Sequence, residues 1–146
     1  MLEGQQVAEP ETLFDTYKGR SSYAGKCWMR LFGMSEHVLN ITPPLGEYDS
    51  GKQPYQFLGR MTQSQRAAFH QAYDSENKIY RQRVADGVLN GRSLDRYKYQ
   101  RFMKDYLRCV AAIDDNVGRI LEYLDSHGLA QNTLVVYSSD QGFFTG

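Results

Sequence analysis

Asp140 and Gln141 stand side by side at the end of the run Leu134-Val135-Val136-Tyr137, behind two serines and ahead of Gly142. Asp140 offers a charged carboxylate oxygen and Gln141 a neutral amide oxygen. That pair suits a hard cation such as calcium or magnesium and suits thiolate-seeking metals poorly. A plainer reading competes with it. An Asp behind a strand also serves as the N-cap of a following helix or as the first residue of a turn, and Gly142 fits a turn equally well. The β-branched and aromatic run, bounded by polar residues, predicts a strand covered on both faces of an α/β sheet. Ligands in such sheets gather at the carboxyl ends of the strands, where Asp140 and Gln141 fall.

Other residues with chemical potential carry weaker signals. Asp114, Asp115 and Asn116 are successive, and a regular helix turns about 100° per residue, so the three cannot converge on one ion. Asp114 falls near the edge of an apolar stripe and is expected to accept hydrogen bonds from a neighbouring loop, with Asp115 and Asn116 solvated. His70 is read as a packing or surface histidine without a metal-sharing partner. The 2 cysteines, Cys27 and Cys109, make neither a disulfide framework nor a zinc signature and are expected to be small buried side chains. Asn40-Ile41-Thr42 matches a glycosylation sequon by chance, with Pro43 directly behind it.

The elements that would position these residues are mostly helical. Residues 1–60 read as an irregular wrapping region, with one helix expected over Tyr23 to Asn40 and a segment from Ile41 to Gly59 broken by Pro43, Pro44, Gly46, Gly51 and Pro54. The aromatics of this region, Trp28, Phe32, Tyr48, Tyr55 and Phe57, are read as anchors for a long loop rather than as a sugar-stacking surface. Thr62-x-x-Gln65 has the form of a capping box ahead of Ala67, Ala68, Phe69, Ala72 and Tyr73. Asp74-Ser75-Glu76-Asn77 is expected to interrupt that helix before Ile79, Tyr80 and Val84 resume an apolar stripe.

Asn90-Gly91 marks a turn, and Ser93 is the expected N-cap of the main helix, Leu94 to about Ser126. Met103, Tyr106, Leu107, Val110, Val117, Leu121 and Leu124 recur every three or four residues along it, so one stripe should face a core. At about 1.5 Å per residue the helix would run close to 50 Å. Gly118 within it suits either a close backbone contact or simple tolerance. Gly128 is the expected left-handed stop, His127 complements the helix dipole, and residues 129–133 return the chain to the strand.

The stretch from Tyr106 to Leu124, with Asp114-Asp115-Asn116-Val117-Gly118 at its centre, together with Gly128-Leu129 and Asn132 through Gly142, closely resembles the sulfatase family of the alkaline-phosphatase superfamily. That family carries a long helix with a D-x-x-V-G core, a short turn, and a strand ending in S-D-(H/N/Q)-G. The resemblance extends upstream through Tyr97-Lys98-Tyr99-Gln100-Arg101 and Pro10-Glu11-Thr12-Leu13-Phe14-Asp15, and is strong over residues 93–142 and fainter over residues 10–92. It implies a partial sulfatase catalytic domain over 1–146, part of an alkaline-phosphatase-like α/β sandwich, mostly helical here, with one core strand near residue 137. The chain is expected to be an interior piece of a larger enzyme.

By the same resemblance Asp140 and Gln141 are two ligands of an active-site calcium ion. The family's nucleophile is a formylglycine made from a Cys or Ser in a C-x-P-S-R or S-x-P-S-R motif. Cys27 is followed by Trp28-Met29-Arg30 and Cys109 by Val110-Ala111-Ala112, so neither matches. The implied activity is hydrolysis of sulfate esters, on a sulfated carbohydrate or another sulfate ester, in the periplasm or outside the cell. Alternatives are a phosphoester or phosphonoester hydrolase of the same superfamily, or a non-catalytic helical interaction module. Lys plus Arg equal Asp plus Glu at 17 each, without a basic run, which excludes a nucleic-acid or membrane-surface footprint. No apolar stretch approaches membrane-spanning length, and no charged-then-apolar signal segment opens the sequence.

Overall fold

The computed structural model describes residues 4–26, 33–47 and 55–141. Its helices are α1 (Ser22–Lys26), α2 (Gln56–Gly59), α3 (Gln63–Ala85) and α4 (Gly91–Ser126), with 3-10 turns at Glu11–Phe14, Glu36–Leu39 and Ala130–Asn132. The chain divides into two compact units, one of Met1–Gly19 with Phe102–Gly146 and the other Arg20–Arg101.

Helix α3 starts where its cap dictates. The Thr62 hydroxyl accepts from the Gln65 amide at 3.3 Å, and the Gln65 side chain accepts from the Thr62 amide at 2.9 Å. Two otherwise orphaned amides are thus satisfied reciprocally. The helix then runs unbroken through Asp74-Ser75-Glu76-Asn77, where an interruption was expected. Tertiary bonds outweigh the poor local propensity there, because Glu76 and Asn77 both pair with Arg101.

The buried face of α3 is not its aliphatic one. Ala67, Ala68, Ala72, Ile79 and Val84 are exposed, whereas His70, Asn77 and Tyr80 are buried. Asn77 donates from Nδ2 to the Asn40 carbonyl at 2.9 Å. Arg101, on the first turns of α4, donates from Nε to the Leu39 carbonyl at 3.1 Å and from Nη2 to Asn77 Oδ1 at 3.0 Å. Its guanidinium lies 4.8 Å from the Tyr73 ring centroid and pairs with Glu76. The two carbonyls so served end the 3-10 turn Glu36–Leu39, where Asn40 takes a left-handed conformation at φ 56°. Leu39, Ile41, Leu58, Leu89 and Tyr99 are buried and belong to the core of the second unit.

The expected helix from Tyr23 to Asn40 is not continuous. It is replaced by α1 and the 3-10 turn, with Ser35 extended between, while 27–32 lie outside the described residues. Of the aromatic anchors, Trp28, Phe32 and Tyr48 also lie outside them. Phe57 behaves as an anchor, its ring meeting Phe69 of α3 edge-on at 6.0 Å, and Phe69 in turn packs on Tyr73 at 4.8 Å.

Helix α4 begins at Gly91, three residues before the expected start. Ser93 sits inside it as a reciprocal partner of the cap, its hydroxyl accepting from the Asn90 amide at 2.9 Å. At about 1.5 Å per residue its length is roughly 54 Å. Within the first unit the expected apolar stripe is buried or half-buried at Met103, Tyr106, Leu107, Val117 and Leu124, but Val110 and Leu121 are exposed. Cys109 is exposed rather than buried. A Cβ at Gly118 would meet nothing within 4 Å, so tolerance accounts for that glycine.

The helix stops as its sequence requires. Gly128 takes φ 66°, and the amides of Gly128 and Leu129 bond back to the carbonyls of Asp125 and Leu124 at 3.1 and 2.9 Å. This pair of bonds is a Schellman motif, which demands a residue comfortable at positive φ.

The expected core strand is not formed. Leu134 to Tyr137 join no ladder among the described residues, and all four side chains are exposed, Leu134 at 89%. A strand is stable only against neighbours that satisfy its backbone and cover its faces, and no described segment offers either.

Two measurements on the whole protein test the hub. Arg101→Ala strands the Leu39 carbonyl and Asn77 Oδ1, and should lower the denaturation free energy by about 1–3 kcal/mol for each. Glu76→Gln, at a half-exposed partner, should cost under about 1 kcal/mol. Equal effects would show that the ion pair, not the carbonyl bonds, carries the hub.

Tyr80 supplies a pH signature. Burial first, then the Glu36 carboxylate that accepts its hydrogen bond, push its hydroxyl up from 10.0 to about 12. The native state therefore holds this proton more tightly than the unfolded chain. Its stabilising contribution is complete below about pH 10 and is lost as pH rises towards about 12. Denaturation midpoints measured between about pH 9 and about pH 11 should fall more steeply for the native protein than for Tyr80→Phe.

Candidate metal centre

The path from helix to donor pair is short and well held. His127 donates from Nδ1 to the Tyr123 carbonyl at 2.9 Å and stacks on the Tyr123 ring with centroids 4.0 Å apart. A cation-capable ring over the last carbonyls complements the helix dipole. The turn Ala130–Asn132 follows, and the Thr133 hydroxyl donates to the Leu129 carbonyl at 2.8 Å. From there the backbone goes out extended, with Thr133 at φ −122° and ψ 122°.

Asp140 and Gln141 sit at the end of that segment, both exposed, with a bend at Asp140. The Ser139 hydroxyl bridges the bend. It donates to the Gln141 carbonyl and accepts from the Gln141 amide at 3.3 Å. No cluster of three or more His, Cys, Asp or Glu side chains forms among the described residues. The donor set fits calcium in kind, since a carboxylate and an amide oxygen are both hard ligands. It falls short in number, because calcium takes about six to eight oxygens. The described residues thus offer two donors of the kind a hard cation takes, and not a full set.

The other candidates form no three-ligand cluster with this pair among the described residues. Asp114 and Asp115 are exposed on α4, and the expected loop hydrogen bond to Asp114 is not made among the described residues. Asn116 donates from Nδ2 to the Ala112 carbonyl at 2.7 Å and accepts from Arg119 at 3.3 Å, a local helix-surface arrangement. His70 does have a partner. Its Nδ1 lies 2.8 Å from Asp74 Oδ1, four residues on, and the i, i+4 spacing in the sequence is the signal for that pair. It also meets the Phe69 ring edge-on, with centroids 5.6 Å apart. Cys27 lies outside the described residues. No helix of the described residues is long and apolar enough to cross a membrane.

A long helix closed by a glycine stop, a tight return and a carboxylate-amide pair define the class to which the chain belongs. The sulfatase family model matches residues 34–145, and the chain is a member of the sulfatase family. It is 37% identical over 141 residues to an N-acetylglucosamine-6-O-sulfatase of Bacteroides thetaiotaomicron, covering 94% of this chain and 25% of that one. A solved protein in complex with its substrate D-glucosamine-2-N,6-O-disulfate superposes with a TM-score of 0.83 at 36% identity, over 95% of this chain and 28% of the other. The chain thus spans about a quarter of the length of the relatives it matches.

Proposed function

We propose that this chain is part of the catalytic domain of a sulfuric ester hydrolase, to which it contributes two calcium ligands, Asp140 and Gln141. The observation that carries the reading is the match to the sulfatase family over residues 34–145, which takes in both donors. Calcium, when bound, keeps negative charge on the sulfuryl oxygens in place through the transition state. Asp140 and Gln141 hold the cation and neither give nor take the reacting proton. Neither cysteine stands in a C-x-P-S-R context, so the formylglycine nucleophile of such an enzyme is not drawn from Cys27 or Cys109.

In this reading Leu134 to Tyr137 become a core strand of an alkaline-phosphatase-like α/β sandwich once neighbouring strands of the whole enzyme lie beside them. Their exposure and their apolar character on both faces support it. The names of the relatives support a sulfated glucosamine as substrate, with 6-O-sulfate as the group removed. An enzyme working on such a sugar acts in the periplasm or outside the cell, where sulfated polysaccharides are met. The phosphoester and interaction-module alternatives are not favoured, because the family matched is that of sulfatases.

The test is sulfate release from 6-O-sulfated N-acetylglucosamine by the whole protein. Asp140→Ala should lower turnover by about a hundredfold or more while leaving the fold intact. Gln141→Ala should weaken calcium less, as a neutral ligand contributes less than a carboxylate. Normal turnover and calcium affinity in Asp140→Ala would sink the assignment.

A further inference from the structure

Two ligands on consecutive residues face a geometric obstacle. Along an extended strand successive side chains leave opposite faces, so Asp140 and Gln141 could not reach one ion from a straight continuation of residues 134–137. The backbone must turn between them, and it does so at Asp140. What holds that bend among the described residues is one side chain. The Ser139 hydroxyl reaches past Asp140 to both backbone groups of Gln141, donating to its carbonyl and accepting from its amide at 3.3 Å.

We infer that Ser139 is a positioning residue for the cation site, whose hydroxyl clamps the bend that turns Asp140 and Gln141 towards one ion. The inference rests on the reading of those two residues as cation ligands. Ser139 itself does not ligate. Its proton and one of its two lone pairs are engaged by Gln141, so its contribution is the conformational freedom it removes from the two residues after it. Without the clamp the pair would have to be ordered by the ion itself, at a cost in affinity.

The experiment is calcium titration of the metal-stripped whole protein by calorimetry, for the native protein, Ser139→Ala, Ser139→Thr and Asp140→Ala, with melting temperatures taken in chelator. A lost clamp is worth one ordinary hydrogen bond, so Ser139→Ala should weaken calcium by about three- to tenfold. Ser139→Thr, which keeps the hydroxyl, should restore most of the affinity, and the metal-free melting temperatures should match. Native affinity in Ser139→Ala, with affinity lost in Asp140→Ala, would overturn the clamp while leaving the ligand assignment standing. Weak binding by both Ser139 variants, or a lowered metal-free melting temperature in Ser139→Ala, would also overturn it. Native affinity in Asp140→Ala would overturn the ligand assignment and the clamp together.

Discussion

Arg101 is the constraint around which the second unit is arranged. A guanidinium taken out of water needs partners for its donors, and here they come from three directions: the Leu39 carbonyl, Asn77 and Glu76. Asn77 closes the circuit by donating to the Asn40 carbonyl. The left-handed turn at Asn40 would otherwise leave buried carbonyls without donors, so the turn, α3 and the start of α4 are mutually required. The planar fork of arginine also rests against the Tyr73 ring, a contact that a lysine ammonium would make with less area and no stacking. Arg101 and Asn77 are as buried as the apolar residues Leu39, Ile41 and Leu58 of the same unit, so little water reaches the circuit to compete with it.

Much of this was readable one residue at a time, and the exceptions share a cause. The Thr62 capping box and the Gly128 stop are local devices, set by a few neighbouring residues, and both form as the sequence states. The two long helices were legible from periodicity. The inward face of α3 was legible only at Tyr80, because hydrophobic patterning favours Ile79 and Val84, which are exposed, over His70 and Asn77, which are buried. The continuity of α3 through Glu76 and Asn77 was hidden for the same reason: it depends on Arg101, twenty-four residues further along in the hydrogen bond to Asn77. The strand at Leu134 to Tyr137 was legible as composition but not as structure, since strand formation is a property of a pair and its neighbours lie elsewhere.

At the donor pair the position is reversed. The residue types at 140 and 141 spoke for a hard cation, and the resemblance to sulfatases named it, but nothing in the order of residues said how adjacent side chains could converge. The bend and its serine bridge came from the structure alone. The sulfatases that the chain matches are about four times its length, and a calcium ion takes about six to eight oxygens, so two donors make up the smaller part of such a shell.

The exposed run of Leu134, Val135, Val136 and Tyr137 has a consequence for how the chain meets other copies of itself. The six residues from Leu134 to Ser139 are uncharged and free of proline and glycine, which is the length and composition of a cross-β segment. While no strand flanks it, the same run on a neighbouring chain is an available partner. Asp140, three residues beyond Tyr137, places a charge beside this window and acts as a gatekeeper against stacking. One carboxylate thereby discourages self-assembly, a task separate from holding an ion.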